Sequence, residues 1–337
     1  MNIFLSIIVP AYNLAPYIDA TLQSIVLAVG HLSCTRAIEI ICIDDGSTDR
    51  TGEILDDFAK KYSQMAESIR INIIHQENRG VSAARNLGLA TATGKWIWFV
   101  DGDDLIHPES LDVISEFDLK WSDSDYLMFN YSHNPNFLNE CQKFESRPFC
   151  LSDSGAITEV FREVCRVIFR RDLIGNLRFL DYKLGEDVAF SLSYRADHVH
   201  GCIVDSILYY YRVRDGSTTG VKVLSAEKTV DWIRANRIIF EKMAAIIGNG
   251  KLVWWYPSTL WNGFNGSPHV LPFNVVRPFY REYVDLLYDV NKYCPYSVNR
   301  RLAIQVLHLF PSPMLGWLLI YGQERIIQML VKWRCRV

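Results

Sequence analysis

An α/β fold is what this sequence predicts: a mostly parallel sheet flanked by helices, followed by a mainly helical C-terminal extension. Two observations carry the expectation. Through the first third of the chain, short apolar runs alternate with segments of helical periodicity. Continuous apolar strands separated by helices mean a parallel sheet buried on both faces. From about residue 223 the alternation stops, and a long amphipathic segment leads into an aromatic, proline-punctuated, increasingly basic tail.

The elements follow in order. "LSIIV" (5–9) reads as the first strand. Pro16 suits the first position of a helix, whose apolar face is Ile18, Leu22, Ile25, Val26 and Val29. "EIICID" (39–44) is the second strand. Asp49 is placed to cap a helix with the face Ile54, Leu55, Phe58, Tyr62 and Met65. "INIIH" (71–75) is the third strand, and "GVSAARNLGLATA" (80–92) is a helix lined with small residues, suited to close packing. "WIWFV" (96–100) is the fourth strand, and residues 223–248 form a long amphipathic helix.

Composition bounds the answer. The 337 residues allow one large domain or two smaller ones. A net charge of −3 gives no basis for nucleic-acid binding. The eight cysteines form no CxxC pair, which reads as free thiols in a reducing compartment. "MNIFLSIIVP" lacks a basic leader region and is taken as the first strand. No later stretch gives about 18 uninterrupted apolar residues; "LAIQVLHLFPSPMLGWLLIYG" (302–322) contains Gln305, His308 and two prolines.

Ligands of open parallel sheets bind beyond the carboxyl ends of the strands. Those ends carry "PAYN", "DDGSTD", "QENRG" and "DGDD". Four polar clusters in succession point to one composite site. Asp101 and Asp103, two apart on a glycine turn, suit a hard divalent cation that keeps positions for water and phosphate oxygens. A solvated acidic turn is the other reading of that pair alone.

"SIIVPAYN", "EIICIDDGSTDRTGEIL", "NRGVSAARNLGLATATGKWIWFVDGDD" and, much later, "GEDVAF" stand in this order. Together they resemble the signature of family 2 glycosyltransferases of the bacterial surface-polysaccharide type, over residues 3–215. The resemblance implies a Rossmann-like GT-A catalytic domain over residues 1–219, with a nucleotide-sugar half (1–105) and an acceptor half (106–219). Residues 220–337 are then the extension. It implies inverting transfer of a hexose or N-acetylhexosamine from a nucleotide sugar, UDP-linked, to a hydroxyl of a saccharide or lipid-linked saccharide acceptor. Lipopolysaccharide, O antigen or capsule synthesis is the setting, and the cofactor is a divalent cation, Mn²⁺ or Mg²⁺.

Carried over residue by residue, the resemblance makes Asp45 the contact to the base, whose uracil N3–H a carboxylate can accept. Pro10, Ala11 and Tyr12 line the base. Asp103 is the main metal ligand, with Asp101 on ribose or metal. Arg79 and Arg85 lie on the nucleotide side, though for Arg85 a helix-surface ion pair is the other reading. Asp187, with Glu186 as alternative, is the catalytic base that takes the acceptor proton; the other reading of this pair is acidic charge at a helix start. "VCRVIFRRDLIGNLRF" (164–179) resembles the acceptor-side segment, but Cys165 and Val167 stand where relatives often carry Trp and Lys or Asn. In "YYYRVRDGSTTG" (209–220), Arg212 suits bidentate phosphate binding, with Ser217 and Thr218 adding hydroxyls; a plain strand and turn is the other reading. His198 and His200, read as alternate residues of one strand, lack a third ligand nearby. Trp254, Trp255 and Trp261 are candidates to stack on sugar rings.

Three rivals remain. A haloacid-dehalogenase-like phosphatase places its Asp-x-Asp after the first strand, with a Thr following. A nucleotidyltransferase needs a glycine-rich N-terminal loop. A non-catalytic sugar-binding protein would not need Asp45, Asp101, Asp103 and Asp187 together. In the tail, Arg300, Arg301, Arg325, Lys332, Arg334 and Arg336 face a single Glu324, with Trp317, Tyr321 and Trp333 between them. That pattern describes an interfacial segment. With the resemblance, which implies a lipid-linked acceptor on the cytoplasmic leaflet, the expectation is a cytoplasmic protein peripheral on the inner face of the cell membrane. Packing of the tail on the catalytic domain or on a second subunit, as in a homodimer, is the alternative.

Overall fold

A computed structural model describes residues 2–34, 36–62, 69–140, 145–150, 163–198, 200–214, 226–247, 280–293, 304, 305 and 308. The chain divides into two compact units, Met1–Asp181 with Glu186–Ser217, and Tyr182–Gly185 with Thr218–Val337.

The first unit is a mixed α/β layer structure. Its strands are β1 (Ile3–Ala11), β2 (Ala37–Asp44), β3 (Ile69–His75), β4 (Trp96–Phe99), β5 (Leu105–Ile106), β6 (Tyr126–Ser132), β7 (Ser146–Cys150), β8 (Val167–Arg170) and β9 (His200–Tyr210). Its helices are α1 (Ile18–His31), α2 (Thr51–Tyr62), α3 (Val81–Thr91), α4 (Ser110–Lys120), α5 (Arg171–Ile174) and α6 (Glu186–Asp197). The sheet order is β3-β2-β1-β4-β8-β6-β9-β5, with β7 paired to β9. β3, β2, β1 and β4 run parallel, as their uniform apolar character predicts. β8 reverses the direction and pairs antiparallel with both β4 and β6. It follows the 3-10 turn Val164–Arg166 rather than a helical crossover, and an apolar run does not encode which way it is laid down.

Every residue of β1 and β2 is buried. The polar exceptions are satisfied. Ser6 donates to Glu39 (2.7 Å), and Glu39 also accepts from the backbone and hydroxyl of Thr93 (2.9 and 3.1 Å). α1 buries Ile18, Leu22 and Ile25, each contributing about 1.5–3 kcal/mol of transfer free energy. It begins at Ile18, two residues later than Pro16 suggests. The Leu14 carbonyl accepts from both Tyr17 and Ile18, so Pro16 sits in a preceding turn. α2 begins where Asp49 accepts the Thr51 N–H (2.9 Å), and it buries Leu55, Phe58 and Tyr62. α3 does pack closely: a Cβ on Gly88 would stand 2.4 Å from Ile8 of β1.

The strand pairing sets the functional edge. Ala11 pairs with Asp44, and Asp44 with His75, so β1, β2 and β3 end level. The Val100 N–H bonds the Ile8 carbonyl, aligning the end of β4 with them. β5 then pairs antiparallel with Tyr209 and Tyr210, which clamps the DGDD turn onto the end of β9. His198 and His200 do not share a strand. His198 follows α6 and bonds the Leu173 carbonyl (2.8 Å), whereas His200 opens β9.

In the second unit, α7 (Ala226–Ile247) buries Val230, Ile233, Ile239 and Phe240. α8 (Tyr280–Tyr293) buries Tyr283, Val284, Leu287 and Val290 at helical spacing. Arg237–Asp289 (3.3 Å) and Arg234–Glu282 (3.6 Å) join the two helices. Trp254, Trp255, Trp261, Ser217, Thr218, Met65 and the basic tail except Ile304, Gln305 and His308 lie outside the described residues. Among the described residues no helix is long and apolar enough to cross a membrane. Cys34, Cys42, Cys165 and Cys202 are free thiols.

Candidate active site

At the ends of β1 and β2 the backbone is tied into a rigid cradle. The Asp45 N–H donates to the Ala11 carbonyl (2.8 Å). The Asn13 side chain, on a residue with φ 51°, accepts from the Thr48 N–H (2.8 Å). Asp45 is 3% exposed. Its carboxylate accepts from the Gln76 side chain (2.5 Å) and from the backbone N–H groups of Arg79 (2.9 Å) and Gly80 (2.8 Å). A carboxylate offers about four lone-pair sites, so one on Oδ2 remains for a ligand. Arg79 joins this cradle through its backbone only, and its side chain is exposed. Pro10 and Ala11 are buried beneath, and Tyr12 presents a 46% exposed ring beside them. Gly46 makes the turn possible: its φ is +70° and a Cβ would stand 2.7 Å from the Asn78 nitrogen.

Arg85 is the hub of the next layer. It is 5% exposed on the inner face of α3. One terminal nitrogen donates to Asp101 (2.9 Å) and the other to Glu186 (3.0 Å). The guanidinium also lies 5.4 Å from the Phe179 ring centroid. Burial opposes its charge, but Asp101, Glu186 and Asp187 outweigh that and hold its pKa above the ordinary value. The helix-surface reading of Arg85 is therefore corrected: the pair is buried and joins residues 101 positions apart. The neighbouring Asn86 fixes the Phe179 backbone through two bonds, 2.8 and 2.9 Å. Phe179 stacks on Phe190 of α6 at 4.0 Å. Phe190 lies one turn after Glu186 and so on the same helix face. Packing of that face thereby aims the acidic first turn of α6 at the sheet edge.

Asp187 is half-buried beside Glu186. Burial, then the Glu186 charge, raises its pKa to about 7, against the opposing pull of Arg85. A carboxylate poised there can take a proton near neutral pH. Glu186 is committed to Arg85, which leaves Asp187 the freer of the two.

The DGDD turn is held by residues that motif spacing did not reveal. Tyr209 is fully buried; its hydroxyl donates to Asp104 (2.7 Å) and accepts from the Asp101 N–H (3.0 Å). Arg212 donates its backbone N–H to Asp104 (2.7 Å) and its Nε to the Asp103 carbonyl (2.7 Å). Arg214 forms an ion pair with the Asp103 carboxylate. Arg212 thus grips the acidic turn itself, and among the described residues its terminal nitrogens make no hydrogen bond. The buried aromatic at position 209 was the available signal, because a tyrosine buried at a sheet edge needs a polar partner.

Among the described residues no group of three or more His, Cys, Asp and Glu side chains is arranged to hold a metal ion. The turn nevertheless suits a hard cation. Burial and Asp101 raise the Asp103 pKa, and burial with Asp101 and Asp103 pushes Asp104 up to about 8. Negative charge is crowded there, and Mg²⁺ and Mn²⁺ are commonly held by one or two carboxylates with water and phosphate completing the shell.

Residues 6–146 match the model of Glycosyl transferase family 2. The match runs from β1 through β6, the elements that carry the acidic turn. EpsJ, a glycosyltransferase of Bacillus subtilis, is 31% identical over 229 residues, covering 64% of this chain and 63% of EpsJ. The minor teichoic acid biosynthesis protein GgaB of the same organism is 29% identical over 254 residues, covering 72% of this chain and 26% of GgaB. The chain thus spans less than two thirds of either relative. S. aureus TarS 1–349 in complex with UDP superposes with a TM-score of 0.72 at 18% identity, covering 96% of this chain and 92% of TarS 1–349. The chain shares that GT-A fold.

Proposed function

We propose that this protein is an inverting transferase. It moves a hexose or N-acetylhexosamine from a UDP-sugar to a hydroxyl of a saccharide acceptor, lipid-linked, in bacterial surface polysaccharide synthesis. The observation that carries the reading is the Asp101–Arg85–Glu186 bridge. It brings the acidic turn after β4 and the acidic start of α6 into one constellation. A donor diphosphate at the turn and a proton acceptor at Asp187 then serve the two ends of a single displacement. The similarity to TarS, solved with UDP, and to GgaB supports the donor and setting.

Each residue has a task in this reading. Asp45 uses its remaining lone pair on the uracil N3–H, and Tyr12 covers the base. Arg79, exposed at the rim, meets the nucleotide. Asp187 accepts the proton of the attacking hydroxyl. Arg85 holds Glu186 and Asp101 in place and keeps their charges from repelling each other. Arg212 offers its terminal nitrogens to phosphate oxygens. Asp103, with Asp101, would hold Mn²⁺ or Mg²⁺, which when bound would neutralise charge developing on the leaving diphosphate. Residues 1–219 form the catalytic part in this scheme. The basic, aromatic tail attaches the protein peripherally to the cytoplasmic face of the membrane.

A thermal-shift panel of nucleotide sugars with Mn²⁺ tests the reading. Stabilisation by at least one UDP-sugar is expected. Stabilisation by a GDP-sugar and by no UDP-sugar would overturn the uridine assignment.

A further inference from the structure

Two arginines just beyond β9 lie on the acidic turn, and they hold it differently. Arg212 bonds the Asp103 carbonyl and the Asp104 carboxylate through its Nε and its backbone N–H. Arg214 instead pairs through Nε with Oδ2 of Asp103, the carboxylate assigned above to the metal. Both guanidiniums lie over the Tyr17 ring, 5.3 and 5.5 Å from its centroid. The pair is largely shielded, with side-chain exposures of 29% for Arg214 and 16% for Asp103. A guanidinium on a carboxylate occupies acceptor sites that a cation needs. It also repels a second positive charge strongly where water is scarce. A divalent cation on Asp103 and Arg214 on Asp103 therefore oppose each other. A guanidinium displaced from a carboxylate keeps a donor fork that matches phosphate oxygens, and stacking on Tyr17 keeps it beside the turn.

We propose that Arg214 is the resident counter-cation of Asp103, displaced by an incoming divalent cation and received by the donor diphosphate, so that metal and nucleotide bind interdependently. The inference rests on the reading of Asp103 as a metal ligand. Metal alone has to break the Arg214 contact without replacing it. Metal with nucleotide gives Arg214 a new anionic partner. The coupling is reciprocal: Mn²⁺ strengthens UDP binding by the same factor that UDP strengthens Mn²⁺ binding.

Calorimetric titration of Mn²⁺ into the metal-free full chain, with and without UDP, reads this directly. In the wild type, UDP is expected to raise Mn²⁺ affinity about tenfold or more. Arg214→Ala is expected to bind Mn²⁺ alone about tenfold more tightly than wild type, with UDP then adding less than about threefold. Arg214→Gln, which keeps bulk but not charge, should give the same pair of shifts, and circular dichroism verifies that each variant folds. Unchanged or weaker Mn²⁺ binding without UDP in both variants overturns the proposal. Asp103→Asn separates the two levels. If it removes Mn²⁺ binding while the Arg214 variants match wild type, the metal assignment stands and the role of Arg214 falls. If it leaves Mn²⁺ binding intact, both fall.

Discussion

Arg85 shows how one side chain organises this site. It is buried and meets two carboxylates from distant segments. Removing one member of a buried ion pair leaves uncompensated charge, at a cost of about 3–5 kcal/mol. Arg85→Ala is accordingly expected to lower unfolding free energy by about that much in urea titrations. Arg85→Lys should recover only part of the loss, since an ammonium lacks the two-armed geometry. Asp187 supplies a pH prediction. Its pKa is raised to about 7, and the base must be ionised to act. The rate is therefore expected to fall about tenfold per pH unit below that value and to level off above it. A kcat/KM profile whose acid limb lies in the ordinary carboxylate range would contradict the assignment. The candidate residues Asp45, Asp101, Asp103, Glu186 and Asp187 were legible in the sequence because they sit in short ordered motifs. The partners of Arg85 were not: no local pattern links position 85 to position 186, and only folding brings them within 3.0 Å.

At the scale of elements, the strand ends and the loops after them do the positioning. Gly46 is the sharpest case, combining φ +70° with a Cβ position 2.7 Å from the Asn78 backbone. Gly46→Ala is expected to destabilise the fold by more than about 1 kcal/mol. Because the same turn carries Asp45, it should also weaken UDP binding, measured by calorimetry, while an alanine at exposed Gly30 of α1 leaves UDP binding unchanged. The parallel strands β1 to β4 were readable from their continuous apolar runs. The reversed β8 was not, since "VIFR" is equally compatible with either direction. The start of α1 shifted because the Leu14 carbonyl bonds two successive N–H groups, a choice made by the turn rather than by Pro16. The aromatic character of Tyr209 signals a need for a polar partner, but that the partner is Asp104 follows from the pairing of the two-residue strand β5 with β9, too short to leave a pattern of its own.

For the whole molecule, the chain divides into an α/β unit and a second unit containing the helices α7 and α8. The tail carries six arginines and lysines against one glutamate from residue 299 onward, and each near an anionic leaflet adds about 1 kcal/mol. In flotation with anionic liposomes, the full chain is expected to float at low salt, and a version ending at Tyr296 is expected to stay behind. Equal behaviour of the two would make the tail a packing element instead. The central claim, that the acidic turn and the α6 start together form one sugar-transfer site, is tested most directly by UDP release from UDP-sugars with Mn²⁺, comparing wild type with Asp187→Asn. The account predicts release from at least one donor, abolished by excess chelator and reduced about 10²–10⁴-fold in Asp187→Asn. Release at the wild-type rate in that variant, or undiminished release in chelator, would contradict it.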